Sequence, residues 1–193
     1  MNSICVYCGS SDKIHPDFRN AAYQMGTVLA GEGITLVYGA GSTGLMGAVA
    51  DGALESGGEV IGIMPSIFNT PQLLHRNLTR LEIVNDMHQR KTRMQELADG
   101  FIALPGGFGT LEELFEILTW AQIGLHAKPV GLLNVRQYFD PLLEFIDSAR
   151  AEGFIYAEHK SLFISSEEPS PLLKALQNHN HPTGLESWLT RDD

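Results

Sequence analysis

Two short stretches of this 193-residue chain carry residues able to do chemistry. The first is ALPGGFGTLEEL, Ala103 to Leu114, with three glycines in four positions, then a Thr and two consecutive glutamates. Gly106, Gly107 and Gly109 let the backbone approach a ligand closely and turn its N–H groups inward. A helix beginning at Thr110 adds free N–H donors and the positive end of a dipole. The guest expected of such a loop is a phosphate. No G-K-[ST] ending follows, so this is not the loop of an NTP-hydrolysing P-loop enzyme. TLEE reads as a capping box with Thr110 at N-cap and Glu113 at N3. The other reading gives Glu113 to chemistry, since it lies alone on one side of its helix beside the phosphate site. The helical wheel puts Leu111, Leu114, Phe115 and Leu118 on the buried face. It groups Glu112 and Glu116 with Thr119 on one flank, solvated or at an interface.

The second stretch is DMHQRKTRMQELAD, Asp86 to Asp99. On a helix, Met87, Met94, Leu97 and Ala98 share one face, with Arg90 between Leu97 and Met94 and Lys91 on the other flank. Arg93 and Glu96 point away, and His88 and Arg93 read as ordinary surface residues. A guanidinium within an apolar stripe must snorkel to water or find a partner, because a buried unpaired charge costs several kcal/mol. The sharper expectation is that Arg90 faces a pocket at the helix start, meeting an acid or a ligand's oxygens there.

These residues must be positioned by an alternating chain. Strands are expected at 3–8, 34–39, 59–65, 81–85, 100–105, 129–135 and 161–165, and helices at about 16–31, 43–56, 86–98, 110–125, 138–152 and 168–178. Nearly continuous apolar strands suit a parallel sheet buried on both faces. The expected fold is α/β, a three-layer doubly wound Rossmann-like domain of about seven strands over residues 1–178, followed by a polar tail at 179–193. The longest irregular connection is 66–80. Ligands of such sheets bind beyond the carboxyl ends of the strands, where three glycine-rich turns gather. YCGSS brings Gly9 and Ser10, and LPGGFGT is the loop described above. GAGSTG, Gly39 to Gly44 with Gly41 at its centre, is a literal G-x-G-x-x-G. Its readings are a dinucleotide site, plain turn packing, or the wall of a nucleotide or phosphate pocket. The dinucleotide reading lacks an acid at the end of the next strand, since Glu59 opens that strand.

A net charge of −10 disfavours nucleic-acid polymers as partners and leaves room for a small anion in a locally positive pocket. No run of about 20 apolar residues points to a membrane helix, and no signal peptide is read at the N-terminus. A cytoplasmic protein is expected. Cys5 and Cys8, three apart in a strand, point to opposite faces and read as structural. No metal site is expected.

Taken together, MHQRK (87–91) and PGGFGTLEE (105–113) resemble the paired motifs M-H-x-R-K and P-G-G-x-G-T-x-x-E of the LONELY GUY (LOG) family, the cytokinin riboside 5′-monophosphate phosphoribohydrolases long mislabelled lysine decarboxylases. The likeness runs from CVYCGSS to about residue 165. It implies a Rossmann-like fold and hydrolysis of an adenine-type nucleoside monophosphate to free base and ribose 5-phosphate. Water is the acceptor and no cofactor is needed. It casts Arg90 and Glu113 as the catalytic pair, and Lys91, Gly107, Phe108, Gly109, Thr110 and Thr119 as nucleotide contacts. Beside these, the glycine-rich rim offers Gly9, Ser10, Gly41 and Gly106 as substrate contacts, and Met87 is expected there too. It also implies a homodimer with active sites near the interface, where Thr119 would serve the neighbouring subunit. The chain departs from the family pattern near Gln72, where an acid is usual.

That chemistry passes through an oxocarbenium-like transition state. A fixed carboxylate stabilises the charge at C1′ and orients or deprotonates water, or attacks covalently. With Arg90 beside it, Glu113 is expected to be ionised at neutral pH. The rival readings are a nucleotide-binding protein without turnover and a lysine decarboxylase, the latter resting only on the weak EHK at 158–160.

Overall fold

The structure is a computed structural model, and it describes residues 1–183 and Leu185. Seven parallel strands form one sheet in the order β4-β3-β2-β1-β5-β6-β7. They are β1 Ser3–Tyr7, β2 Thr35–Tyr38, β3 Val60–Pro65, β4 Arg80–Val84, β5 Gly100–Ala103, β6 Val130–Leu133 and β7 Phe163–Ser166. Six helices flank it: α1 Pro16–Gly31, α2 Gly44–Glu55, α3 Met87–Leu97, α4 Phe108–Gln122, α5 Asp140–Ala151 and α6 Pro169–Gln177. All seven expected strands and all six expected helices form, most ends within two residues. The apolar runs stop at turn chemistry that leaves little choice: Pro at the start of α1, α5 and α6, and Gly33 at φ 67° after α1.

Chain direction reverses at β1. The path moves outward through β2, β3 and β4, then returns to β5 on β1's other side, in register Ile4 with Gly100 through Tyr7 with Ala103. The β1–β5 crevice is therefore the topological switch point, where ligands of such sheets bind.

Two cores sandwich the sheet. One joins Ile4, Val6, Leu36 and Tyr38 to Met25, Leu29 and Val49 of α1 and α2, and to Leu172 and Leu176 of α6. The other joins Cys5, Tyr7 and Phe101 to Met94 of α3, and to Leu114, Ile117 and Ala121 of α4. Cys5 and Cys8 are free, buried, and in opposite layers, as strand alternation requires. Leu185 also packs into the second core. Gly184 and residues 186–193 of the expected tail lie outside the described residues. No described helix is long and apolar enough to cross a membrane.

β3 reaches β4 without an α-helix, through a 3-10 turn at Ser66–Phe68 and a loop. That loop is docked onto the turn after β2. Ser42 N–H donates to Leu73 O (2.9 Å), His75 N–H to Ala40 O (3.0 Å), and Gly41 bridges Leu74. His75 Nε2 lies 3.0 Å from Asp51 on α2.

Candidate active site

α4 begins at Phe108, two residues earlier than the sequence suggests, with extended Gly107 as its N-cap and no side-chain cap. Thr110 is therefore N3, and the expected capping box does not form. The Thr110 side chain is instead buried beneath the loop, where a Cβ on Gly106 would collide with it. Among the described residues, no group accepts a hydrogen bond from the N–H of Phe108, Gly109 or Thr110. The space around Gly107 and Gly109 is open. This helix start is unoccupied by protein and suited to an anion. Phe108 projects from its tip, 95% exposed.

The earlier start goes with a buried face different from the expected one. Thr110, Glu113, Leu114, Ile117, Leu118 and Ala121 are buried, whereas Leu111 is half-buried and Phe115 is 39% exposed. Glu113 is thus on the inner face, not apart from it. Its Oε1 lies 3.7 Å from Arg90 Nη2, with both side chains less than 15% exposed. Arg90 Nη1 lies 3.8 Å from Met87 Sδ, and its buried Nε has no partner among the described residues. The guanidinium lies across Gly39, where any Cβ would collide with Nη2. Arg90 is therefore held in the site and does not snorkel.

Burial is the dominant influence on Glu113. It pushes the carboxyl up to about 7, with Arg90 pulling down, Glu112 pushing up and Lys91 pulling down. The expectation that Arg90 would keep Glu113 in the ordinary carboxylate range is thereby corrected. Arg90 is present as foreseen, but desolvation of the inner face outweighs it.

Lys91 is buried on α3, and its Nζ donates to Glu112 (2.5 Å) and Glu116 (2.9 Å) of α4. Burial lowers its proton affinity, yet the two carboxylate hydrogen bonds raise it further, for a net upward shift. The structure corrects one expectation here: Glu112, its side chain 55% exposed, and Glu116 are partners of Lys91 and not bystanders. Arg93 is likewise more than an ordinary surface residue: its guanidinium donates to Glu82 on β4 and to Glu96.

The G-x-G-x-x-G turn is largely spoken for. Gly44 N–H donates to Asp12 Oδ1 (3.0 Å), Leu45 N–H to Gly9 O (2.9 Å), and Thr43 Oγ1 to Ser10 O (2.9 Å). A carboxylate stands where a pyrophosphate would need donors, so turn packing prevails over the dinucleotide reading. The turn's contribution to the site is Gly39, which makes room for Arg90. Gly41 bridges the docked loop, abuts Met46 and accepts from the Tyr38 hydroxyl (3.3 Å).

A cavity of about 370 Å³ opens at the switch point, lined among others by Gly9, Ser10, Gly106, Gly107, Phe18 and Tyr138. Gly9 N–H donates to Pro105 O (3.1 Å), so the β1 and β5 loops form one rim. Thr119 is elsewhere. Its hydroxyl donates to Phe115 O on its own helix (2.7 Å), and it borders a slot with Gln122, Ile146 and His159. It is not brought to Glu113 within one chain. Gln72 is exposed beside Ser42 and His75. Sequence reasoning missed Asp12, Gly39 as the seat of Arg90, and Tyr138. Only Gly39 carried a signal, as the first glycine of its motif.

The sheet order, the open glycine start of one helix and a buried Arg–Glu pair define a Rossmann-like protein with an uncapped helix start at its switch point. The family model described as "possible lysine decarboxylase" matches residues 46–176. The chain is 46% identical over 189 residues to the rice protein named probable cytokinin riboside 5′-monophosphate phosphoribohydrolase LOGL1, covering 96% of this chain and 85% of that one. It is 44% identical over 189 residues to the Arabidopsis thaliana phosphoribohydrolase LOG1, covering 96% and 89%. The chain belongs to this LOG family. Among solved structures, the molybdenum cofactor binding protein of Rippkaea orientalis superposes with a TM-score of 0.71 at 23% identity, covering 92% of this chain and 96% of that one. That likeness is one of fold.

Proposed function

We propose that this chain hydrolyses the N-glycosidic bond of cytokinin riboside 5′-monophosphates, and of AMP, to free base and ribose 5-phosphate. The observation that carries the proposal is the layout of α4. Its uncapped N–H groups at Phe108, Gly109 and Thr110 and its carboxylate at Glu113 lie on one helix. Thr110 and Glu113 are three positions apart, about 4.5 Å along the axis. That is the order of the reach from a 5′-phosphate to C1′ of the same nucleotide.

With the phosphate at the helix start, C1′ faces Glu113. The C1′–N bond breaks with its electron pair leaving on the base, and positive charge develops at C1′. Ionised Glu113 stabilises that charge and takes a proton from the water that adds to C1′; release of that proton to the departing base anion gives the free base and restores the carboxylate. Arg90 holds the carboxylate form within reach of neutral pH. Covalent attack by Glu113 is the other route from the same position, separable by trapping a glycosyl-enzyme. Lys91 is an unsuitable Schiff-base lysine, because two carboxylates keep its ammonium charged.

We place the second subunit of a homodimer on the outer face of α4, where Phe115 is exposed one turn from Thr119. Gel filtration tests this: an active monomer removes it. The two free thiols fit a cytoplasmic setting.

The test of function is incubation of the purified protein with isopentenyladenosine monophosphate and with AMP, with chromatography of the products. Free base and ribose 5-phosphate are expected. Binding without release from either nucleotide overturns the proposal in favour of a nucleotide-binding protein.

A further inference from the structure

We propose that Tyr138 is a positioning residue that sets the orientation of the phosphate-binding loop. The inference rests on the phosphate seat proposed above. The turn after β6 is unusual. Arg136 and Gln137 are consecutive non-glycine residues in the left-handed region, both at φ 55°. Such backbone persists only where its surroundings hold it. Here Asn134 accepts from Phe139 N–H (2.7 Å) and donates to Asp140 (2.7 Å), Arg136 pairs with Asp17 at the start of α1 (2.7 Å), and Phe139 is buried.

What the strained turn presents is Tyr138. Its ring is 42% exposed, so burial of the ring does not account for the turn. It meets Phe18 edge-on at 5.7 Å, and its hydroxyl donates to Gly106 O at 2.6 Å. The peptide so engaged joins Gly106 to Gly107, two residues without side-chain restraint on rotation. Space around Gly107 is open, so packing there does not fix the peptide either. Because a trans peptide directs its C=O and N–H to opposite sides, holding the Gly106 carbonyl on Tyr138 fixes the direction of the Gly107 N–H. That N–H stands directly before the uncapped start of α4. The Tyr138 hydroxyl is thus the latch against a peptide flip that would turn a carbonyl oxygen toward the phosphate.

The test compares wild type with Tyr138→Phe on AMP and on adenosine, and measures inhibition by inorganic phosphate and the unfolding temperature. Wild type should prefer AMP. In Y138F, KM for AMP and the phosphate inhibition constant should each rise about tenfold, the scale of one hydrogen bond. The value of kcat should hold within about twofold, with adenosine kinetics and unfolding temperature little changed. Adding Gly107→Ala, which fits the extended Gly107 without contact, should restrict the flip and recover part of the affinity. If wild type prefers AMP and Y138F keeps that preference with unchanged phosphate inhibition, the role of Tyr138 is overturned and the seat stands. If wild type shows no preference for AMP over adenosine, the seat is misplaced and the inference falls with it.

Discussion

Arg90 Nη2 and Glu113 Oε1 stand 3.7 Å apart, both largely buried: close enough to feel each other's charge and too far for a hydrogen bond. The pair thus retains hydrogen-bonding capacity for a sugar and a water. Glu113→Gln should lower kcat by about 10²–10³-fold, and Arg90→Ala by a comparable factor, with nucleotide binding retained in E113Q. Because they act as a unit, the double variant should be little worse than either single one. Steady-state kinetics with AMP checks this, and wild-type turnover in E113Q would remove Glu113 from the mechanism.

The elevated carboxyl of Glu113 has a sign that two measurements can read. Its value in the folded protein, about 7, lies above the ordinary 4.5. The folded state therefore holds this proton more tightly than the unfolded chain. Its stabilising contribution is full below about pH 4.5 and is lost as pH rises to about 7, by about 3 kcal/mol. Glu113→Gln removes that loss. Its melting temperature should exceed wild type at pH 8, by several degrees, and match it near pH 5. In wild type, kcat/KM should climb with pH to a limb near 7, since the carboxylate is the working form.

Lys91 acts on that limb through Glu112 and Glu116. It neutralises Glu112 and Glu116, both of which push Glu113 up, and it pulls Glu113 down itself. Lys91→Met should move the limb to higher pH and lower kcat/KM several-fold at pH 7. Combining it with Glu112→Gln and Glu116→Gln should bring the limb back. A K91M limb that stays in place would return Lys91 to direct nucleotide contact.

Gln137 tests the turn behind Tyr138 by stability alone. Its left-handed backbone costs a non-glycine residue about 1–2 kcal/mol, partly offset by glycine's greater entropy loss. Gln137→Gly should raise the melting temperature by about 2–4 °C. A drop would mean that the weak contact of Gln137 with Glu167 (3.3 Å) outweighs the strain.

Period and punctuation made the scaffold readable in advance. Apolar runs ended by Gly or Pro located every strand and helix, and the two motif stretches marked Arg90, Glu113 and the glycine loop. What stayed hidden depended on side chains from distant elements. The start of α4 moved because Gly107 can cap a helix while Thr110 is drawn under Gly106, a contact invisible in the TLEE pattern. The pairing of Lys91 with Glu112 and Glu116 stayed hidden because a wheel for α3 alone cannot show carboxylates arriving from α4. Glu113 was expected to be charged because Arg90 could be counted from sequence and the depth of the site could not. Tyr138 gave no sign, since its importance comes from a strained turn that neither period nor composition reveals.

Asp12 has an effect reaching beyond its hydrogen bond to Gly44. The scaffold has glycine turns at the starts of α2 and α4, which lie in opposite layers of the sheet. One is stoppered by the protein's own carboxylate, and the other is left open. A molecule such as NAD, bringing a second phosphate to the stoppered turn, would meet like charge from Asp12. On the proposed reading, the preference for one phosphate over two would then be set partly by Asp12, a residue away from the bond that is cleaved.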